Sequence, residues 1–177
     1  PGNEFAALMA GLLIACIGIV DDVKQLDVRW RIPAQFLASI YVVYCLGDVP
    51  AIDFGLFLFP ESLLLNVLGV FALVWLLNLF NFMDGIDGIA ATELIAVNLL
   101  SIVIVINTDE LITLLSASLA AAAGGFLLWN WSPAKIFMGD VGSSFIGFSL
   151  GVMALLSMHH GSMTVWTWVL LVGVFIV

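Results

Sequence analysis

Apolar residues fall along this chain in seven long blocks, at 5–20, 32–47, 62–83, 88–108, 111–131, 141–158 and 164–177. A membrane-crossing helix needs about 20 mostly apolar residues, with roughly 17 to 25 as the working range. Each block is therefore read as a helix, the second being short and the seventh running to the last residue. Connections are brief, Gly and Pro stand at several block ends, and no internal repeat recurs. Between the second and third blocks, "DVPAIDFGLFLFP" predicts a small hairpin or an interfacial segment. The expected architecture is all-α: one integral membrane domain over 1–177, a polytopic bundle of about seven transmembrane helices.

The polar positions add a topology. Each crossing flips the chain to the other side, so the loops 21–31, 84–87 and 132–140 share one face. That face holds Lys24, Arg29, Arg31 and Lys135, all four Lys/Arg of the chain, and by the positive-inside rule it is expected to be cytoplasmic. The opposite loops carry Asp48, Asp53, Glu61, Asp109, Glu110, His159 and His160.

Composition agrees. The 177 residues are 63% hydrophobic with a formal net charge of −9, and the mean hydropathy of +1.22 is far from that of soluble domains. Nucleic acid is excluded as a partner, since its recognition needs clustered Lys/Arg. Cys16 and Cys45 lie inside apolar blocks near opposite faces, so they are read as small core residues without a disulfide. The opening "PGNEFAALMAG" has no basic stretch or cleavage pattern of a signal peptide. Beginning on Pro1 and ending in "TWVLLVGVFIV", the sequence reads as the central part of a longer protein.

Candidate chemistry gathers on the positive face. In "DDVKQLDVRWR", Asp21 and Asp22 close a helix, and neighbouring helical residues point about 100° apart, so the two carboxylates are expected to serve different partners. Trp30 suits an aromatic belt. In "LNLFNFMDGIDGIAATE", Asn78, Asn81 and Asp84 share one helical stripe that faces inward, because unpaired polar groups near hydrocarbon cost several kcal/mol each. Interhelical hydrogen bonding is the alternative use for the amides. The glycines of "DGIDG" permit tight turns and close ligand approach, and Glu93 at membrane depth is expected to find a partner in the bundle. In "NWSPAKIFMGDVGSSFIG", Asp140, Ser143, Ser144 and free backbone N–H groups at a helix entry could meet an anion such as phosphate, or serve simply as a cap. Gly147 and Gly151 form G-x-x-x-G, a helix-packing pattern. Carboxylates and amides suit Mg²⁺, arginine forks suit phosphate, and the face has neither a Cys/His cluster for zinc nor a G-x-x-x-x-G-K-[ST] loop. These residues point to a membrane enzyme handling a phosphorylated substrate with Mg²⁺.

The stretches "GIVDDVKQL", "NLFNFMDGIDGIA" and "IFMGDVGSSFIG", in this order and spacing, resemble the polyprenyl-phosphate N-acetylhexosamine-1-phosphate transferases, relatives of the phospho-N-acetylmuramoyl-pentapeptide transferases. "RWR" with "NFMDGIDGIAATE" looks most like the bacterial branch that loads a deoxy-N-acetylhexosamine for O-antigen. The resemblance implies transfer of N-acetylhexosamine-1-phosphate from a UDP-sugar to undecaprenyl phosphate at the inner (plasma) membrane, with release of UMP. It implies that Asp21, Asp22 and Asp84 are catalytic, the first two activating or orienting the lipid phosphate. Asn81 and Asp140 would hold Mg²⁺, or Mn²⁺ in its place, and Arg31 would reach the pyrophosphate. Asp87 and Phe137 would receive the uracil, with Asn78 also among the substrate-binding residues. Homodimer formation is compatible with this reading, but the residues do not specify an oligomeric state. Family members are close to twice this length, with earlier helices and a later His-containing cytoplasmic loop. His159 and His160 do not replace that loop, because parity puts them on the other face.

Two rival classes remain at this level. A transporter would place its polar groups near the bilayer midplane, whereas here they gather at one rim. A catalytically silent partner in a glycan-assembly complex would lack UMP release.

Overall fold

The computed structural model describes residues 2–173. The helices are α1 (Gly2–Lys24), α2 (Val28–Leu46), α3 (Leu63–Met83), α4 (Ile89–Val105), α5 (Glu110–Asn130), α6 (Gly139–His159) and α7 (Val165–Val172). A short antiparallel hairpin, β1 (Ile52–Asp53) with β2 (Leu58–Phe59), connects α2 to α3 and pairs Ile52 with Phe59. The protein is thus an all-α polytopic membrane bundle, as the seven blocks predict. By length and apolarity α1, α3, α5 and α6 can each cross a bilayer, and α4 is a shorter apolar helix. Positions 174–177 of the expected seventh helix lie outside the described residues.

Two helix starts differ from the hydrophobic pattern because side chains, not apolarity, set them. Asp27 accepts from Arg29 N and starts α2 at Val28, before the apolar block at 32. Asp109 accepts from Ile112 N and starts α5. Helix α1 runs beyond its apolar block to Lys24 and so carries Asp21 and Asp22 in its last turn.

Helix α6 is the axis of the molecule. Its buried residues occur on all sides, from Ser143 to Ser157, and it packs chiefly against α1 and α3. The Gly147/Gly151 pattern lets α3 approach: a Cβ on Gly147 would lie 2.7 Å from Leu76 O and 2.8 Å from Leu77 Cα, and one on Gly151 would lie 2.5 Å from Leu73 Cδ2. Helices α4 and α5 form a hairpin that packs mainly on itself. Outward positions such as Leu37, Tyr44, Phe82, Val103 and Leu128 are exposed apolar side chains, which suit a lipid-facing surface. The reading of Cys16 as a core residue is corrected, since it is exposed on α1, whereas Cys45 is partly buried and packs against the core.

Polar contacts divide between the two ends of the bundle. One end joins the last turn of α1, the start of α2, the α3–α4 turn and the α5–α6 loop. The other joins Glu4, Asp109, His160 and Ser162, with Asp48 on Asn66 and Trp166 on the β-hairpin. This separation is the parity expected of the loops.

Candidate active site

Asp140, in the first turn of α6, is the hub of the first end. Its Oδ1 accepts from Asn81 Nδ2 at 2.7 Å, and its Oδ2 accepts from Arg31 Nη1 at 3.2 Å. The same Nη1 donates to Asp21 Oδ2 at 2.9 Å, so one guanidinium bridges carboxylates from α1 and α6. Asp21 is buried, and its Oδ1 accepts from Leu26 N at 2.8 Å, which ties down the turn between α1 and α2. Arg31 also keeps a buried Nε without a hydrogen-bond partner, a donor left over after both carboxylates are met. Asn81 donates a second bond to Ser143 Oγ at 3.0 Å, and Ser143 in turn donates to Gly139 O.

Asp22, next to Asp21 but turned away from it, has different partners. Its Oδ1 accepts from Asp140 N at 2.8 Å and its Oδ2 from Val141 N at 3.2 Å. The expectation that the backbone N–H groups at this helix entry stand free for an anion is therefore corrected for these two. Ser144 is buried and stands apart from the cavity, unlike Ser143.

A cavity of about 240 Å³ opens beside the hub, lined among others by Asn81, Asp84, Asp87, Asn130, Phe137, Asp140 and Ser143. Asp84 caps the C-terminal end of α3, where burial, helped by the negative charge of Asp140, pushes its carboxyl up to about 6. Phe137 is 77% exposed at the mouth, so its ring is free to cover a ligand. The two loops of the cavity are clipped together: Asp87 Oδ2 accepts from Ala134 N at 3.0 Å. Asn130 Oδ1 accepts from Gly88 N at 2.9 Å while its Nδ2 donates to Ile136 O at 2.9 Å. Gly88, at φ 78°, starts α4 in a backbone conformation that glycine adopts most readily.

Of the residues expected at the site, Asp21, Arg31, Asn81, Asp84, Asp87, Phe137 and Asp140 converge here, and Asp22 stands behind Asp140. Asn78 does not line the cavity. It donates to Gln35 Oε1 at 2.8 Å and to Val74 O, an α2–α3 cross-link of the kind anticipated as the alternative. Glu93 is buried with its Oε1 unpaired, so the expected partner for that atom is missing among the described residues. Asn130 is the addition to the site, and Gln35 is the unanticipated partner in the cross-link away from it. The only signal for Asn130 was an amide at the end of an apolar helix, and Gln35 was one polar residue in an apolar block.

The donor set fits a hard divalent cation. Asp140 and Asp84 place two carboxylates on one cavity, close enough that the charge of Asp140 adds to the burial that raises the Asp84 carboxyl. Among the described residues no three acidic, His or Cys groups converge, so the protein would supply one or two carboxylates and leave other positions to substrate oxygens and water.

Fold and site together define a polytopic membrane protein with a polar cavity and a carboxylate–guanidinium network at one end of its helix bundle. Residues 5–158 match the family described as glycosyl transferase family 4, and the chain belongs to that family. A similar protein of Bacillus subtilis (strain 168), named "Probable undecaprenyl-phosphate N-acetylglucosaminyl 1-phosphate transferase", is 32% identical over 157 residues, covering 87% of this chain and 44% of the relative. Phospho-N-acetylmuramoyl-pentapeptide-transferases of Wolbachia sp. subsp. Drosophila simulans (strain wRi) and of Caldanaerobacter subterraneus subsp. tengcongensis are 31% and 32% identical over 172 residues each. These alignments cover 84% and 89% of this chain and 51% and 54% of the relatives. The chain spans about half the length of the curated relatives it matches.

Proposed function

We propose that the protein transfers N-acetylhexosamine-1-phosphate from a UDP-sugar to undecaprenyl phosphate, on the cytoplasmic side of the plasma membrane, and releases UMP. One observation carries this reading. The three motif loops, far apart in sequence, meet in a single network of Asp21, Arg31, Asn81 and Asp140 beside one polar cavity. Its place at the bundle rim suits a reaction between a lipid-borne phosphate and a water-soluble nucleotide.

In the reaction, an oxygen of the lipid phosphate attacks the sugar-bearing phosphorus of the UDP-sugar in line. The bond from that phosphorus to the bridging oxygen breaks, and the electron pair leaves with UMP. Arg31 would face the pyrophosphate from beside the cavity, through the guanidinium that bridges Asp21 and Asp140. Asp21 orients the lipid phosphate or takes its proton. The cavity is smaller than the roughly 300–1,000 Å³ of sites that enclose a whole drug-sized ligand. It is therefore assigned to the nucleoside end, with Phe137 covering the uracil and Asp87 bonding its edge. Mg²⁺, held by Asp140 and by the amide oxygen of Asn81 after a flip of that side chain, would offset charge on the pyrophosphate; Mn²⁺ would serve in its place.

The acceptor points to the start of lipid-linked cell-envelope glycan synthesis, with O-antigen as the branch the sequence favours. The test uses membranes containing the full-length protein, a panel of UDP-N-acetylhexosamines and undecaprenyl phosphate. UMP release that needs both substrates and Mg²⁺ is expected. Solute uptake without UMP would replace this reading with a transporter, and neither activity would leave a silent assembly partner.

A further inference from the structure

We infer that Asp22 is a positioning residue that caps α6 from another helix and thereby sets Asp140, and that it takes no direct part in phosphate or proton transfer. The inference rests on the proposed function for what Asp140 does. An α-helix leaves its first four N–H groups without intrahelical partners, and an N-cap side chain ordinarily accepts from the second or third of them. Helix α6 has no such local cap, for its N-cap position is Met138 and no side-chain cap bond forms there. The N–H groups in question belong to Asp140 and Val141, and both are taken by the two carboxylate oxygens of Asp22, 118 and 119 residues away in sequence.

Two glycines make this cap in trans fit. Gly139 sits at φ 68°, and a Cβ there would lie 2.7 Å from Asp22 Oδ2. Gly18, one turn earlier on α1, lies directly against the Val141 backbone. The α1–α6 seam is therefore closed at this level, and Asp22 has a fixed height relative to the first turn of α6. Negative charge at a helix N-terminus also suits the helix dipole. With its backbone held, Asp140 directs one oxygen to Asn81 and the other to Arg31. Asp21 faces the Arg31 side of the network and Asp22 its backbone side, which gives the adjacent carboxylates separate tasks.

The test compares Asp22→Asn, Asp22→Ala and Gly139→Ala with wild type in the full-length protein. It measures Mn²⁺ binding by electron paramagnetic resonance and UMP release against Mg²⁺ concentration, with thermal unfolding to confirm folded variants. Asparagine keeps one acceptor oxygen of the same reach but turns an amide N–H toward the second backbone N–H, so Asp22→Asn is expected to recover only part of what Asp22→Ala loses. Asp22→Ala is expected to weaken Mn²⁺ binding by about 10- to 100-fold, the usual effect of losing a residue that orients a metal ligand. Its turnover is expected to recover partly at high Mg²⁺. Gly139→Ala leaves the Asp22 carboxylate intact but crowds the same contact, and it is expected to weaken Mn²⁺ in the same direction. The inference is overturned if Asp22→Asn is as inactive as Asp22→Ala at saturating Mg²⁺ while Mn²⁺ affinity is unchanged, or if all three variants match wild type. Absence of UMP release in wild type would sink the proposed function alone, since the Mn²⁺ comparison does not depend on turnover.

Discussion

At the scale of single residues, two neighbouring aspartates show how position on a helix decides chemistry. Asp21 is buried against Arg31, whereas Asp22 is exposed and reaches backbone. If Asp21 orients or deprotonates the lipid phosphate, Asp21→Asn is expected to lower the rate of UMP release by about 10²-fold or more, the usual span for a general base. Undiminished turnover would remove that role. Asp84 gives a second prediction. Burial accounts for most of the rise of its carboxyl to about 6, and the charge of Asp140 adds to it. Asp140→Asn is therefore expected to move the Asp84 midpoint down from about 6 while leaving it above the ordinary 3.8. Titration of labelled carboxyl carbons by NMR reads this directly, and an unmoved midpoint would mean the two carboxylates do not interact.

At the scale of elements, the decisive contact is α6 against α3 and α1. Gly147 faces backbone atoms of Leu76 and Leu77 with no flexible side chain to yield, so Gly147→Ala is expected to cost about 1–3 kcal/mol as an overpacking change. Gly124 on α5 has nothing within 4 Å of a would-be Cβ, and Gly124→Ala is expected to be neutral or slightly stabilising. Thermal unfolding in detergent compares them, and equal behaviour of the two variants would count against close α3–α6 packing. The clip through Asn130 operates at the same scale. It joins the α3–α4 turn to the α5–α6 loop through two hydrogen bonds of one side chain.

For the molecule as a whole, the end opposite the candidate active site acts as a clasp. His160 bonds Asp109 at 2.8 Å through Nδ1 and Glu4 at 3.2 Å through Nε2, which joins the starts of α1 and α5 to the end of α6. Burial alone would lower the His160 imidazole, but the Asp109 and Glu4 carboxylates outweigh it and hold the group above its ordinary 6.5. A raised folded-state value favours the protonated form. The stability it contributes is present in full below pH 6.5 and is lost as pH rises through the raised value. Asp109 works in the other direction: burial opposes ionisation, yet the bonds from Ser162, Ile112 N and His160 keep it below its ordinary 3.8. Its contribution is present above pH 3.8 and is lost as pH falls through the lowered value. Unfolding temperature is expected to decline on the alkaline side in wild type and to be flatter in His160→Gln. A parallel pH profile in that variant would show that the clasp does not contribute.

The sequence by itself determined seven helical blocks and the grouping of three polar loops at one end, because helix length and loop parity are local properties of a chain that must satisfy its backbone within lipid, and the motifs in those loops carried the resemblance to the family. It also marked Asp21, Arg31, Asn81 and Asp140 as belonging together. It could not assign partners, since a hydrogen bond between residues 118 positions apart leaves no periodic trace. For the same reason it grouped Asn78 with the site on shared helical spacing, although the stripe drifts by about 60° per three-residue step and turns Asn78 toward Gln35. It placed Cys16 in the core because apolar character does not tell a lipid-facing position from a packed one in a membrane. Only the tertiary structure decided these, through the close approach of α1 and α3 to α6 that sets which polar atoms can meet.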